Sequence, residues 1–155
     1  MKIMNRAIIT SLLSIVSAQG LKIVVHKKKS GKWDWRPMFQ TGGMPSSHSA
    51  GVSSIAAYTA LKHGVKSTDF ALAVVFGLIV MYDAQGIRRH TGEIAKIVNE
   101  LNENIGALSN LHPTFSYMKN EEALNELLGH QPIEVLGGAI LGIGMGTVSW
   151  LLNEK

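Results

Sequence analysis

Four stretches with few or no charges divide the chain, and polar blocks separate them. They cover residues 7–25, 46–61, 70–82 and 135–152. A helix needs about 20 mainly apolar residues to cross the hydrocarbon core of a bilayer. The first and last stretches approach that length and predict membrane-spanning helices. The second and third are shorter, and they reach it only by including polar ends, as in 68–87 with Asp83 turned inward.

Two other interpretations of these stretches stay open at this point. Lys2 and Arg6 precede the first apolar run, as in a signal peptide, although residues 17–19 offer only a poor cleavage site. Short apolar runs also occur in buried helices of soluble domains, so a soluble helical domain is the general alternative. No alternating apolar pattern predicts a sheet. We therefore expect an all-α fold, a small polytopic membrane helical bundle of about four apolar helices in one domain over residues 1–155.

The last apolar stretch carries glycines at four-residue spacing, at Gly138, Gly142 and Gly146. Residues four apart share one face of a helix, and small residues there let another backbone approach closely. In a solvated helix each glycine would instead cost about 1 kcal/mol relative to alanine. The spacing predicts tight helix contact, with chance as the alternative in a chain of sixteen glycines.

Residues 93–130 predict a polar helical insertion between the third and fourth apolar helices. Its first part has the three- and four-residue apolar spacing of an amphipathic helix, with Ile94, Ile97, Val98, Leu101 and Ile105 on one face. A loop around His112-Pro113 follows, and then a shorter helical segment over 121–130 that Gly129 ends. We expect this insertion to lie outside the hydrocarbon.

Composition and charge narrow the classes of protein. Charged residues make up 17% of the chain, too few for intrinsic disorder and below the usual quarter of a soluble domain. The absence of cysteine excludes disulfides, thiolate metal sites and a cysteine nucleophile. The net charge of +4 permits contact with nucleic acid or an anionic membrane and establishes neither. With the apolar stretches, it leads us to expect a lipid bilayer and no nucleic acid as partner.

The most informative polar block runs from residue 29 to residue 48. Arginine offers a planar fork of donors that suits phosphate oxygens, lysine adds a compact positive charge, and glycines let backbone amides approach an anion. All of these are present here, as Lys29, Lys32, Arg36, Gly42, Gly43, Ser46, Ser47 and His48. The composition is that of an oxyanion site, and a basic loop beside a membrane is the alternative.

Two further segments carry residues of the same chemistry. Arg88, Arg89 and His90 follow the third apolar stretch, after Asp83, which would pair with one of the arginines or cap the helix. His130 and Glu134 open the fourth stretch at a spacing of four. A carboxylate at that spacing can hold one ring nitrogen and leave the other free as a base or nucleophile. The alternative is that Glu134 only caps the N-terminus of the fourth apolar helix.

Topology offers a test of whether these segments form one site. If all four apolar stretches cross the membrane, the loops after the first and third helices lie on the same face. That face would hold nine Lys/Arg against five on the other, which would make it cytoplasmic. Four of the nine are candidate phosphate ligands, however, and without them five remain on each side. Charge therefore assigns no orientation to the predicted integral protein of the cell membrane.

The same residues carry a family resemblance. Lys29 with Arg36-Pro37 resembles the first signature, Lys-x6-Arg-Pro, of the type-2 phosphatidic acid phosphatase and vanadium haloperoxidase superfamily. The run PSSH at 45–48 resembles the second, Pro-Ser-Gly-His, with Ser47 at the glycine position. The third is met only in part, because His130 and Glu134 look like its end while its arginine lies some forty residues upstream. The strings GGMPSSHSAG, YDAQGIRRH and LGHQPIEV resemble a divergent branch of that superfamily.

The resemblance implies a metal-independent, acid phosphatase-like hydrolysis of a lipid or isoprenoid phosphomonoester through a phosphohistidine, without a cofactor. His130 would be the nucleophile, Glu134 would hold its ring, and His48 would protonate the leaving alcohol. His90 is a rival nucleophile that lacks a carboxylate four residues on. The phosphoryl oxygens would be bound by Lys29, Arg36, Ser46, Ser47 and one of Arg88 and Arg89.

The broken third signature motivates an alternative function. In that case the chain is a non-catalytic relative that binds a phospholipid or organises other membrane proteins. A bundle of four short helices is thin, which makes a homo-oligomer a further hypothesis.

Overall fold

The computed structural model describes residues 5–40, 42–111, 117–118, 120–126 and 128–153. Five α-helices and one 3₁₀ helix make up its regular structure, and the described residues contain no strand, so the predicted all-α fold is confirmed. The elements are α1 (Arg6–Ser30), the 3₁₀ helix (Arg36–Phe39), α2 (Ser47–His63), α3 (Thr68–Gln85), α4 (Ile87–Leu111) and α5 (Pro132–Asn153).

Local sequence explains where these helices begin and end. Asn5, Ser46 and Ser67 cap the N-termini of α1, α2 and α3 by accepting a bond from a backbone amide of the first turn. Gly31 ends α1 with a φ of 73°, which glycine adopts without a steric penalty. Only Gly86 separates α3 from α4.

Helix α2 lies at the centre of the bundle and contacts α1, α3 and α5. It runs parallel to α5, since a side chain at Gly138, Gly142 or Gly146 would collide with the carbonyl oxygen of Ser46, Ala50 or Ser54 in turn. The predicted contact along the glycine face of the last helix is therefore confirmed.

Helix α1 runs antiparallel to α5. The hydroxyls of Thr10 and Ser149 lie 2.5 Å apart, and Arg6 bonds to Asn153. At the other end, the amide of His130 donates to the carbonyl of Ala84 near the end of α3. The C-termini of α1 and α3 and the N-termini of α2 and α5 thus meet at one end of the bundle, as the topology predicted.

The distribution of side chains is that of a helix bundle in a membrane. The buried interior consists mainly of small and hydroxyl side chains such as Ser14, Ala50 and Ser54, while large apolar side chains such as Phe76 and Ile140 point outward. Small residues at helix contacts and bulky ones toward lipid are expected in bilayers. Three segments are long and apolar enough to cross a membrane: Arg6–Ser30, Thr68–Leu111 and Pro132–Asn153. The second apolar stretch, 46–61, forms α2, which is a shorter helix of 17 residues.

The insertion differs from its prediction in two ways. The amphipathic helix α4 begins at Ile87, directly after α3, and is longer than expected. The prediction of a shorter helix over 121–130 is wrong, because the described residues of this range have irregular backbone. Asn99 explains this, because its side chain donates to the carbonyl of Leu124 and accepts from the amide of Leu124, both at 2.9 Å. The predicted loop at His112-Pro113 lies outside the described residues.

Candidate functional site

Two histidines from distant segments meet at the end of the bundle where the four helix ends gather. His48 is the second residue of α2, and His130 lies two residues before α5. Their ring centroids are 5.6 Å apart and the rings are almost perpendicular. His130 is 2% exposed, and neither of its ring nitrogens has a hydrogen-bond partner among the described residues. Because buried polar atoms are normally satisfied, unpaired nitrogens in this pair point to a binding role.

The chain returns from the insertion in a way that brings the two arginines beside His130. Gly129 has a φ of 82°, and a side chain there would lie 2.5 Å from the Cα of Arg89. Gly92, one turn further along α4, is covered in the same way by the carbonyls of Glu126 and Leu128, each 2.8 Å from an added Cβ. Close backbone contact at these glycines therefore closes the gap of some forty residues that separates Arg88 and Arg89 from His130 in the sequence.

The two arginines differ in their contacts. The Nε of Arg88 lies 2.6 Å from a carboxylate oxygen of Asp83, which settles the pairing that the sequence left open. The Nε of Arg89 lies 3.2 Å from Glu93, and Arg89 lines a cleft of about 500 Å³ together with His130. His90, the rival nucleophile, is 76% exposed in its side chain, lies 3.4 Å from Glu93 and is not among the described residues that line this cleft.

Ser46 and Ser47 sit at the N-terminus of α2 and are both buried. The hydroxyl of Ser46 accepts from the amide of Ser49, and the amide of Ser46 donates to the carbonyl of Glu134 at 2.9 Å. These bonds fix the start of α2 against the start of α5. Since both helices present their N-terminal ends here, their partial positive charges favour an anion at this place.

Glu134 does not hold the ring of His130 in this structure. Its carboxylate accepts a hydrogen bond from the amide of Gln131 at 3.0 Å, which is the capping role that the sequence allowed as an alternative. The backbone of His130 is instead held by its bond to Ala84, and the ring lies in perpendicular contact with the ring of His48.

Two of the predicted cations are not brought to the histidine pair. Lys29 lies in the last turn of α1 and Arg36 opens the 3₁₀ helix, and both side chains are exposed. Neither is among the described residues that line the cleft. Helix α1 continues to Ser30, past the end of its apolar stretch, so that Lys29 lies in its last turn with an exposed side chain.

A further cation near the site, Lys22, is part of none of the signature motifs. Lys22, in α1, is 3% exposed, and its ammonium donates to the carbonyl of Gln40 at 2.9 Å. The sequence did contain a signal for it, because a lysine inside a spanning segment is costly and often functional.

The electrostatic surroundings keep His130 neutral near pH 7. Burial is the largest cause, and the neighbouring His48 and the charges of Lys22 and Arg88 act in the same direction, so that the pKa of His130 falls to about 4. A neutral imidazole has a free electron pair and is able to act as a nucleophile or base. Among the described residues, no group of three or more His, Asp or Glu side chains is placed to hold a metal ion.

Comparison with known proteins identifies the chain's relatives. Residues 3–145 match the model of a family described as the divergent PAP2 family. The chain is 42% identical over 142 residues to the uncharacterized membrane protein YuiD of Bacillus subtilis (strain 168), and the match covers 90% of each chain. No solved structure matches. With the three apolar helices, this similarity identifies an integral membrane protein.

Proposed function

This chain belongs to the divergent PAP2 family, and on that premise we propose that it hydrolyses a lipid or isoprenoid phosphomonoester at the histidine pair. The observation that carries the proposal is the contact between His48 and His130, with ring centroids 5.6 Å apart and unpaired nitrogens on both rings. A nucleophile and a general acid must both reach one phosphoester, and the fold brings these two rings to one place from distant parts of the sequence.

In the first step, a ring nitrogen of His130 attacks phosphorus. The bond from phosphorus to the alcohol oxygen breaks, and His48 donates a proton to that oxygen. Because burial and the charges of Arg88 and Lys22 lower the pKa of His48, its protonated form depends on the negative charge of the bound phosphate. The products are the free alcohol and a phosphohistidine. General acid assistance of this kind is typically worth about 10²–10⁴-fold in rate.

In the second step, water attacks the phosphorus of the phosphohistidine. His48 is now neutral and takes the proton of the attacking water, the bond between phosphorus and nitrogen breaks, and inorganic phosphate leaves. His130 and protonated His48 are thereby regenerated.

Positive groups stabilise the charge on the phosphoryl oxygens in both steps. Arg89 lines the cleft, the charge of Arg88 acts on His130, and α2 and α5 direct their N-termini to the same end of the bundle. Positioned charges of this kind supply most of the catalysis in phosphoryl transfer. The large outward-facing apolar side chains of α3 and α5 favour a substrate whose alcohol is a membrane lipid.

The test is phosphate release from phosphatidic acid and from isoprenoid monophosphates in detergent micelles. His130→Ala should abolish release, and His48→Ala should reduce it by about 10²–10⁴-fold. His63→Ala is the matched control, because His63 lies at the opposite end of α2 and contacts Asp69 at 3.2 Å. Equal release by wild type, His130→Ala and His48→Ala would refute the roles, and loss in His90→Ala alone would transfer the nucleophile to His90.

One observation favours a second candidate, a non-catalytic relative that binds a phosphorylated lipid. Among the described residues, no carboxylate holds the ring of His130, since Glu134 caps α5, and the predicted cations Lys29 and Arg36 do not line the cleft. This candidate predicts that phosphatidic acid binds to wild type without turnover, and that His130→Ala binds it as well as wild type does. A homo-oligomer stays a prediction, which size analysis in detergent would test.

A further inference from the structure

Lys22 occupies a position for which the fold alone gives no reason. It lies seven residues before Lys29 and therefore on the same face of α1, about 10 Å deeper in the bundle. Its side chain is 3% exposed, whereas that of Lys29 is exposed. A buried ammonium carries three donors and loses its hydration, which is costly unless an anion or several acceptors replace the water.

The described partners of Lys22 do not replace that water. Among the described residues, its ammonium has one hydrogen bond, to the backbone carbonyl of Gln40. The carboxylate that acts on it electrostatically is that of Glu134, which is already engaged in capping α5. A charged group that is buried with one neutral acceptor is suited to an anionic ligand that arrives from outside.

The location of Lys22 connects it to the cleft. Gln40, Gly42 and Gly43 line the cleft together with His130, and the side chain of Lys22 lies behind this segment, with its Cδ 3.9 Å from where a Cβ of Gly43 would stand. The positive charge of Lys22 acts electrostatically on His130 and on His48, so the ammonium lies near both rings, although Lys22 is not itself among the described residues that line the cleft.

We propose that Lys22 is the lysine of α1 that binds the oxyanion, in direct contact with a phosphoryl oxygen, and that Lys29 does not have this role. The ligand is the phosphate group itself, whether on a lipid or free. Only the part of the proposal that concerns turnover rests on the proposed function, because anion binding by Lys22 does not require hydrolysis.

The test is oxyanion binding by the full-length protein in detergent, measured by calorimetry with inorganic orthovanadate. Lys22→Met should weaken binding by about 10- to 100-fold, the usual worth of a hydrogen bond to a charged group. Lys28→Met is the control, because it removes the same charge from an exposed position on the same helix and should leave affinity unchanged. Lys29→Met tests the position that the sequence favoured and should weaken binding far less than Lys22→Met does.

A second variant separates charge from positioning and covers poor folding of the methionine variant. Lys22→Gln keeps a donor for the carbonyl of Gln40 and carries no charge. It should lose as much affinity as Lys22→Met if the ammonium contacts the anion. Binding of Lys22→Gln or Lys22→Met at wild-type strength would overturn the proposal. The melting temperature of Lys22→Met should be unchanged or raised, because a buried charge is removed.

Two further experiments distinguish lipid phosphate from free phosphate, and anion binding by Lys22 from the proposed hydrolysis. Nanodiscs with and without phosphatidic acid show whether the lipid phosphate competes with orthovanadate at the Lys22-dependent site. If wild type binds orthovanadate through Lys22 but hydrolyses none of the esters, the proposed function fails and this inference stands. If wild type and Lys22→Met hydrolyse phosphatidic acid with the same kcat/KM, the inference fails and the proposed function stands.

Discussion

The contact between α2 and α5 gives the most direct test of the fold, through substitution of Gly142 by alanine. An added Cβ at Gly142 would lie 3.0 Å from the Cα and from the carbonyl carbon of Ala50, and closer still to its oxygen. These are backbone atoms of α2 and cannot rotate away. Carbon atoms pack at about 3.5–4.0 Å, so the two helices would have to separate by roughly 1 Å.

The expected loss of stability in Gly142→Ala follows from a comparison with Gly144 on the same helix. No atom lies within 4 Å of a Cβ added at Gly144. Both substitutions gain the same helix propensity, about 1 kcal/mol in water, and this gain cancels in their difference. Overpacking typically costs about 1–3 kcal/mol. Gly142→Ala should therefore be less stable than Gly144→Ala by about 1–3 kcal/mol, although the two variants have the same composition.

The assay is unfolding in detergent followed by circular dichroism, for wild type and both variants under one condition. We expect the midpoint of Gly144→Ala at or above that of wild type and the midpoint of Gly142→Ala below it. Because His48 and His130 sit at the ends of the two separated helices, Gly142→Ala should also weaken orthovanadate binding. A Gly142→Ala protein as stable as Gly144→Ala would refute the described packing of α5 on α2.

Two further predictions concern the segment around His130. Gly129→Ala should unfold more easily than Gly64→Ala and bind orthovanadate more weakly. Both glycines have a φ of 82°, but only a Cβ at residue 129 would meet backbone, 2.5 Å from the Cα of Arg89. Thermal unfolding of both variants checks this. Burial and neighbouring positive groups hold the pKa of His130 at about 4, below the ordinary value near 6.5. The unfolded chain therefore takes up a proton at His130 before the folded protein does. The contribution of His130 to stability is constant above pH 6.5 and is lost as the pH falls from 6.5 to 4. The loss should reach about 3 kcal/mol and be absent in His130→Gln, and equal pH profiles of the two proteins would contradict it.

The helices and their faces could be predicted from the sequence because their causes are local. Apolar length marks the spanning segments, and the four-residue glycine spacing marks a contact face whatever the partner is. The meeting of His48 and His130 at one end followed from counting crossings, since alternate helix ends must lie on the same side. The family resemblance led to the same residues through the runs that contain them.

Other features depended on contacts between distant segments and could not be predicted from spacing. Lys29 matched a motif, but α1 continues to Ser30 and leaves the Lys29 side chain exposed, while Lys22 on the same face stays buried. The segment 121–130 has leucines at helical spacing, yet Asn99 bonds to its backbone and replaces helical hydrogen bonds. The four-residue spacing of His130 and Glu134 is compatible with two roles of Glu134, capping of α5 or orientation of the His130 ring, and only the three-dimensional structure distinguishes them.

The packing of the bundle and the chemistry of its site have a common origin in small side chains. Glycines of α5 lie against the backbone of α2, so the two parallel helices begin side by side and bring their N-termini together. One helix N-terminus alone attracts anions only weakly, with an effect confined to its first turn. Here two of them converge beside His48 and His130, and the formal charges that act most on His130, those of Lys22 and Arg88, are positive. A bulkier residue at Gly138 would separate these helix starts, and it should therefore weaken oxyanion binding even though no glycine atom need touch the ligand.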